Sequence, residues 1–247
     1  MTTSRIAAER LPTLYFLREI RSFSPVFLDT EVDMEAVTTH RCSVRKYSIV
    51  SYVLHAAARV LSAHPEANAA IRGRIRPRVA RFDRVDGKFT LDRRLRAQRV
   101  VLSTVLRDVN RLSLAQIQEQ VDRFRDGDPE SMPEFGSTRL LHRMPPLIGA
   151  AMFRYGVRPL RRRANAMGTF AVTSLGHRAV DGFFSVGGTT ITIGVGRIVE
   201  RPVARRGIPT VAPVMRLSLT FDHRVIDGAE AADVLTEIKD ALESFAE

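Results

Sequence analysis

The 247-residue chain has one cysteine, Cys42, and no tryptophan. A single thiol excludes an intramolecular disulfide framework and a cysteine-built zinc site, and it fits the reducing cytoplasm. No stretch approaches the roughly 18 to 20 unbroken apolar residues that a membrane span needs. The opening MTTSRIAAERLP lacks the apolar core of a secretory signal. There is no internal repeat and no low-complexity tail. Acidic charge is also short: 27 Asp+Glu stand against 38 Lys+Arg, nearly all of them arginine, for a net charge of +11. With no tryptophan and only four tyrosines, the basic runs are poor in interleaved aromatics, and no nucleic-acid motif accompanies them, which argues against a nucleic-acid partner.

What remains is ordinary globular composition, 45% hydrophobic and 26% charged, at a length one α/β domain can fill. The sequence is therefore read as one domain over residues 1–247. Its cationic excess is clustered. Arg72, Arg74, Arg76, Arg78, Arg81 and Arg84 form one run, and Arg154, Arg158, Arg161, Arg162 and Arg163 another. Guanidinium forks match phosphate oxygens, so these runs suit a polyanion, an acidic membrane surface or the phosphates of a coenzyme. A solvated arginine-rich surface is the plainer alternative.

Periodicity divides the chain. Ser24–Met34 reads as extended. Ser48–Ala63 reads as a helix, with Ile49, Val50, Val53, Leu54, Ala57, Val60 and Leu61 at 3.6-residue spacing and Pro65 as the stop. The stretch after Gly73 alternates apolar and basic residues as strand and turn, with Asp86-Gly87 as a turn signal. Gln98–Leu106 reads as a strand. Ser113 and Gln116 form a capping box that opens a helix with Leu114, Ile117, Val121 and Phe124 on one stripe, closed at Gly127. Residues 128–166 are punctuated by Pro133, Pro145, Pro146 and Pro159; their apolar centre, Leu147–Val157, suits a helix packed on the body or over a site entrance. Strands are expected at Thr169–Ser174, Thr189–Ile198 and Val214–Asp222, and a final amphipathic helix from Ala229 to about Phe245. This mixture, without strict βαβ alternation, predicts an α+β fold with a mixed or antiparallel sheet.

The stretch that carries chemistry is LSLTFDHRVIDGAEAA, Leu217–Ala232. An apolar strand delivers His223 onto a rigid element at its end, where an imidazole can accept a proton at neutral pH. Asp227, four residues on, lies within reach of the turn and could fix its geometry. Gly228 allows a backbone conformation that a side chain would forbid. In isolation, His223 could be a polar strand-end residue and Asp227 a helix cap.

The complete string closely resembles the active-site signature of the dihydrolipoyl acyltransferases, the catalytic cores of 2-oxo acid dehydrogenase complexes; chloramphenicol acetyltransferase and peptide-synthetase condensation domains share its H-x-x-x-D part. Further matches follow in order: Phe27–Met34 (FLDTEVDM), Ser48–Ala69 with its H-P-E-x-N-A ending, Val105–Ile117, and Gly168–Gly176 (GTFAVTSLG). The resemblance implies a chloramphenicol acetyltransferase-like two-layer fold, a mixed sheet with helices packed on one face. It implies His223 as the general base that deprotonates a thiol for attack on a thioester, and Asp227 as a carboxylate supporting the site's architecture. Thr173, with Ser174 adjacent, falls where the family places the hydroxyl that stabilises the tetrahedral oxyanion. It further implies coenzyme A as acyl-CoA substrate (or an acyl-lipoyl or carrier thioester), no metal, and a homotrimer, with or without higher assembly, whose sites lie between subunits. His177 has a similar neighbour in some members and reads as structural.

Departures accompany the match. The sequence is read as lacking a lipoyl domain, a subunit-binding domain and their linker, which gives a stand-alone enzyme. Arg-rich Leu91–Arg99 replaces a glycine-rich stretch, and residues 128–166 include an atypical insertion. The leading expectation is an acyltransferase. The alternatives are a catalytically silent core serving as scaffold or partner subunit, disfavoured by the intact His223, Asp227, Gly228 and Thr173, and a polyanion or membrane-surface binder.

Overall fold

The structure, a computed structural model, describes all residues except Met1, Ser4, Arg5, Arg74, Arg96, Ala97 and Glu247. Arg74 and part of the Leu91–Arg99 stretch thus lie outside the described residues. The helices are α1 (Leu11–Glu19), α2 (Glu35–Ser43), α3 (Ile49–Ala63), α4 (Leu114–Asp126), α5 (Gly136–Arg143), α6 (Pro146–Val157), α7 (Leu160–Met167) and α8 (Gly228–Glu243). The strands are β1 (Pro25–Asp33), β2 (Ala69–Arg72), β3 (Arg78–Arg81), β4 (Gly87–Leu95), β5 (Gln98–Leu106), β6 (Phe170–Ser174), β7 (Ile191–Arg205) and β8 (Ile208–Asp222).

Six strands form one mixed sheet in the order β1-β8-β7-β6-β4-β5, and β2–β3 form a separate hairpin. Strand β6 runs parallel to both of its neighbours, and the other pairs are antiparallel. The expected layer of helices is there. The Ser48 hydroxyl caps α3 by accepting from the Ser51 N–H, and the Ser113–Gln116 capping box opens α4. Gln118 of α4 accepts from the Ser48 N–H at 2.7 Å and the Ser51 hydroxyl at 2.8 Å, tying the two helix starts together. Leu54, Leu61, Phe89, Ile117, Phe221 and Ile238 are fully buried between these helices, α8 and the sheet. Each such side chain contributes about 2 kcal/mol of burial.

The opposite face of the sheet is partly covered as well. Gly87 faces α3 so closely that a Cβ there would come within 2.9 Å of Leu54. The next residue, Lys88, points the other way by strand alternation, and its Nζ lies 5.2 Å from the Phe16 ring centroid of α1. Helix α1 also holds α6: Tyr15 and Phe153 ring centroids are 6.3 Å apart, a side chain at Gly149 would strike the Tyr15 ring, and Arg158 pairs with Glu19 at 2.6 Å. The apolar centre of residues 128–166 is thus a helix packed on the body along one side only.

Three local readings differ from expectation. Asp86-Gly87 is no exposed turn. Asp86 is fully buried, accepts the Asp108 N–H at 3.1 Å, and its carboxyl is pushed above the usual range, burial outweighing the hydrogen bond and the Arg84 guanidinium. Strands β7 and β8 run well past Ile198 and begin well before Val214, joined by a tight turn in which Arg206 and Gly207 both have positive φ, 51° and 79°. Pro202, Pro209 and Pro213 hid this ribbon. Each of its strands has one partner there, so a proline's missing donor can face outward. Helices α1 and α2 carried no periodic signal strong enough to be read.

Candidate active site

Strand β8 ends at Asp222, and the chain turns through residues 223–227 into α8. Two anchors fix His223. Its own N–H donates to the Ser24 carbonyl at 2.9 Å, at the start of β1. Asp222, buried, accepts from Arg224 Nε at 2.8 Å and Nη2 at 2.6 Å and from the Ser24 N–H at 3.4 Å. The Arg224 guanidinium lies over the Phe23 ring at 5.4 Å. Because the main chain is held on both sides, the imidazole is carried on a rigid support. It packs against Phe221, ring centroids 5.4 Å apart, while its side chain stays 46% exposed. A fixed, half-exposed imidazole is the arrangement that proton transfer to an incoming group requires. Asp222 was missed in the sequence reading. The signal for it was a carboxylate closing an apolar strand, two residues before an arginine.

Asp227 occupies the N-cap position of α8 with extended main chain but makes no side-chain capping bond. Its Oδ1 lies 3.4 Å from His223 Nδ1, and the carboxylate is 89% exposed. That separation exceeds the 2.7–2.9 Å of a charge-assisted hydrogen bond, so within one chain Asp227 is a neighbour of the imidazole rather than a clamp. The expected role of Gly228 is corrected. It opens α8 without a positive φ, and a Cβ there would meet nothing within 4 Å among the described residues, so neither backbone nor packing there demands glycine.

Thr173 lies near the end of β6 on the face shared with Lys88, and among the described residues its hydroxyl makes no hydrogen bond. Ser174, by contrast, accepts the Gly176 N–H at 3.3 Å in the turn that follows. The register shows where Thr173 stands relative to His223. Thr173 pairs with Gly194 of β7, and Gly194 pairs with Ser218 of β8. His223 is five residues beyond Ser218, about 16 Å along the strand. The fold therefore brings His223 and Asp227 together but sets Thr173 toward the other end of the sheet. His177 is exposed beyond Thr173, away from His223.

Sequence reasoning also missed one buried cation, Lys88, which lies near the half-buried Arg163. Lys88 is enclosed, its Nζ donating to the Gly187 carbonyl, and burial, assisted by Arg163, lowers its pKa to about 7. Arg163 donates to the Gly188 carbonyl at 2.8 Å. Together they hold the loop that leads into β7.

Comparison with known proteins bears on this geometry. Residues 159–247, which contain Thr173, His223 and Asp227, match the family model for the 2-oxoacid dehydrogenases acyltransferase catalytic domain. The succinyltransferase component of the 2-oxoglutarate dehydrogenase complex of Haemophilus influenzae is 28% identical over 231 residues, 86% of this chain and 46% of that protein. The chain thus spans about half the length of the curated relatives it matches. Among solved structures, a probable dihydrolipoamide acetyltransferase from Listeria monocytogenes 4b F2365 superposes with a TM-score of 0.75 at 16% identity, over 100% of this chain and 96% of the other. A chloramphenicol acetyltransferase superposes with a TM-score of 0.51 at 15% identity, over 96% of each chain. Residues 159–247, which hold the histidine turn, thus match the acyltransferase catalytic domain of the 2-oxoacid dehydrogenases, and the whole chain shares its fold with the Listeria acetyltransferase and with chloramphenicol acetyltransferase.

Proposed function

We propose that the chain is an acyltransferase moving an acyl group from acyl-CoA, or from an acyl-lipoyl or carrier thioester, to a thiol, amine or hydroxyl acceptor. His223 takes the proton of the acceptor thiol, and the thiolate attacks the thioester carbonyl. The tetrahedral oxyanion accepts a hydrogen bond from the Thr173 hydroxyl of a neighbouring copy, worth about 3 kcal/mol of barrier. Collapse of the adduct breaks the original carbon–sulfur bond, and the departing thiolate recovers the proton from the imidazolium. Asp227 supports the architecture of the turn beside the ring. Residues 1–247 act as one catalytic domain elaborated at 128–166, working in the cytoplasm.

The observation that carries this reading is the placement of His223 and Thr173 toward opposite ends of one rigid sheet, inside the family-matched segment. A base and an oxyanion donor about 16 Å or more apart cannot serve one carbonyl, whereas a ring of copies can set one chain's histidine against the next chain's threonine. The reading therefore includes a homotrimer, the unit from which a larger core would be built.

The test is thiol release from a panel of acyl-CoAs with dihydrolipoamide as acceptor, wild type beside His223→Ala. Release that depends on His223 is expected. A folded, oligomeric wild type that releases thiol from no donor, or an alanine variant that turns over like wild type, would sink the mechanism.

A further inference from the structure

Two observations outside the histidine turn coincide on one surface. The first is a set of arginines without an ion-pair partner among the described residues. Arg72, Arg76 and Arg78 of the β2–β3 hairpin and Arg161 and Arg162 at the start of α7 line a cleft of about 550 Å³, together with Tyr155, and none makes an ion pair among the described residues. The sequence supplies nothing to pair them locally: residues 135–180 contain no Asp or Glu, and neither do residues 67–82. Elsewhere the protein does pair its arginines, as with Arg197 and Arg201 on Asp181 and Arg205 on Asp33 and Glu35. The second observation is apolar. On α6, Leu147, Ile148, Met152 and Tyr155 stand 86%, 51%, 40% and 67% exposed, on the side of the helix turned away from α1. Ile148, Met152 and Tyr155 follow i, i+4, i+7 spacing and so form one stripe. Tyr155 belongs to both features, since the Arg162 guanidinium lies 4.7 Å from its ring centroid.

We propose that this surface docks the protein onto an anionic phospholipid membrane, with the α6 stripe buried among the acyl chains and the arginine cleft holding phosphate headgroups. An exposed apolar stripe rimmed by cations is the composition of an interfacial helix, which lies in the plane of the bilayer rather than crossing it. Among the described residues, no helix is long and apolar enough to cross a membrane. A second copy of the chain brings the same net excess of +11 to a surface already rich in arginine. A lipid phosphate supplies the missing charge, and each arginine near such a surface strengthens binding about fivefold.

The test is co-sedimentation of the full chain with vesicles of phosphatidylcholine alone and of phosphatidylcholine mixed with phosphatidylglycerol, at low and high salt. Binding to the mixed vesicles only, weakened by salt, is expected. Arg161→Gln with Arg162→Gln should lower it about 25-fold, and Leu147→Ser with Ile148→Ser at least about tenfold. All these side chains are exposed, so unchanged circular dichroism and melting should accompany the losses. Failure to sediment with either vesicle overturns the proposal. Binding that falls with the arginines but ignores the α6 pair, or that free inorganic phosphate or coenzyme A abolishes, overturns it in favour of a soluble phosphate ligand. A lower oligomeric state of the α6 variant in sedimentation velocity overturns it in favour of a second copy. His223→Ala should bind vesicles like wild type, so this proposal and the acyl-transfer reading fail separately.

Discussion

The two ends of the central sheet are built differently. At the end of β8, His223 is anchored by the Ser24 carbonyl and flanked by a buried Asp222–Arg224 pair. At the end of β6, Thr173 is held by strand pairing, its hydroxyl makes no hydrogen bond among the described residues, and the chain leaves through the Ser174–Gly176 turn into a loop. One end supplies a base on a stiff mount and the other a donor waiting for an acceptor. The difference teaches that rigidity is concentrated where a proton must be taken at a set angle, and that neither end is a site without the other.

A series of experiments would break or sharpen that contrast. The largest effect is expected from His223→Ala, which should lower thiol release about a thousandfold or more at unchanged melting temperature. Thr173→Val should lower kcat about 100- to 1000-fold. Mixing and reassembling these two inactive proteins at equal ratio should restore about a quarter of wild-type activity, since that share of interfaces pairs an intact His223 with an intact Thr173. The double mutant should restore none. No recovery on mixing, with exchange of copies shown, would overturn the pairing of His223 with the Thr173 of a neighbouring copy. Next, Asp222→Ala should cost about 3 kcal/mol in urea unfolding, because it strands the part-buried Arg224. Ser174→Ala, at the other end, should stay within about 0.5 kcal/mol. Equal losses would erase the distinction drawn between the ends.

A small effect is also expected at His64, which braces the first turns of α8 beside the histidine turn. It bridges Glu230 at 2.7 Å and Glu237 at 3.1 Å. Burial works to lower its pKa, but the two carboxylates prevail and raise it. A raised folded value means that the contact's contribution is complete below the pKa of unfolded histidine and is lost as pH rises through the folded one. His64→Gln should therefore destabilise by under about 1 kcal/mol, more at mildly acid than at mildly alkaline pH. A penalty that grew with pH would contradict the ion pair.

Much of the fold was legible because local signals agreed. Ser48 and Ser113 marked helix starts that proved to be caps, the stripes of α3, α4 and α8 faced the core, and Gln98–Leu106 was a strand to the residue. The signals that failed were those that local patterns cannot carry. Asp86-Gly87 looks like a turn by composition, but tertiary burial makes it a strand entry. The β7–β8 ribbon is held by ion pairs with Glu31, Asp33 and Glu35 from a strand and helix about 170 residues earlier, not by apolar alternation. The candidate site was legible as a list of residues, since His223, Asp227 and Thr173 stand within a dense motif. Their separation was not, because it follows from β8 running antiparallel to β7 while β6 runs parallel to it. Asp222 and Lys88 went unread because nothing in composition distinguishes a buried charge from an exposed one.

Lys88 has a consequence for chemical labelling. With a pKa brought to about 7 by burial, its amine loses its proton far more readily at neutral pH than that of an exposed lysine, which is almost wholly protonated. An uncharged amine is an acyl acceptor in its own right, and this one is shielded by Phe16 of α1 and the Gly187 carbonyl. Its rate of modification by a soluble acylating reagent therefore measures how often α1 lifts from the sheet, a clock for local opening already wired into the native sequence.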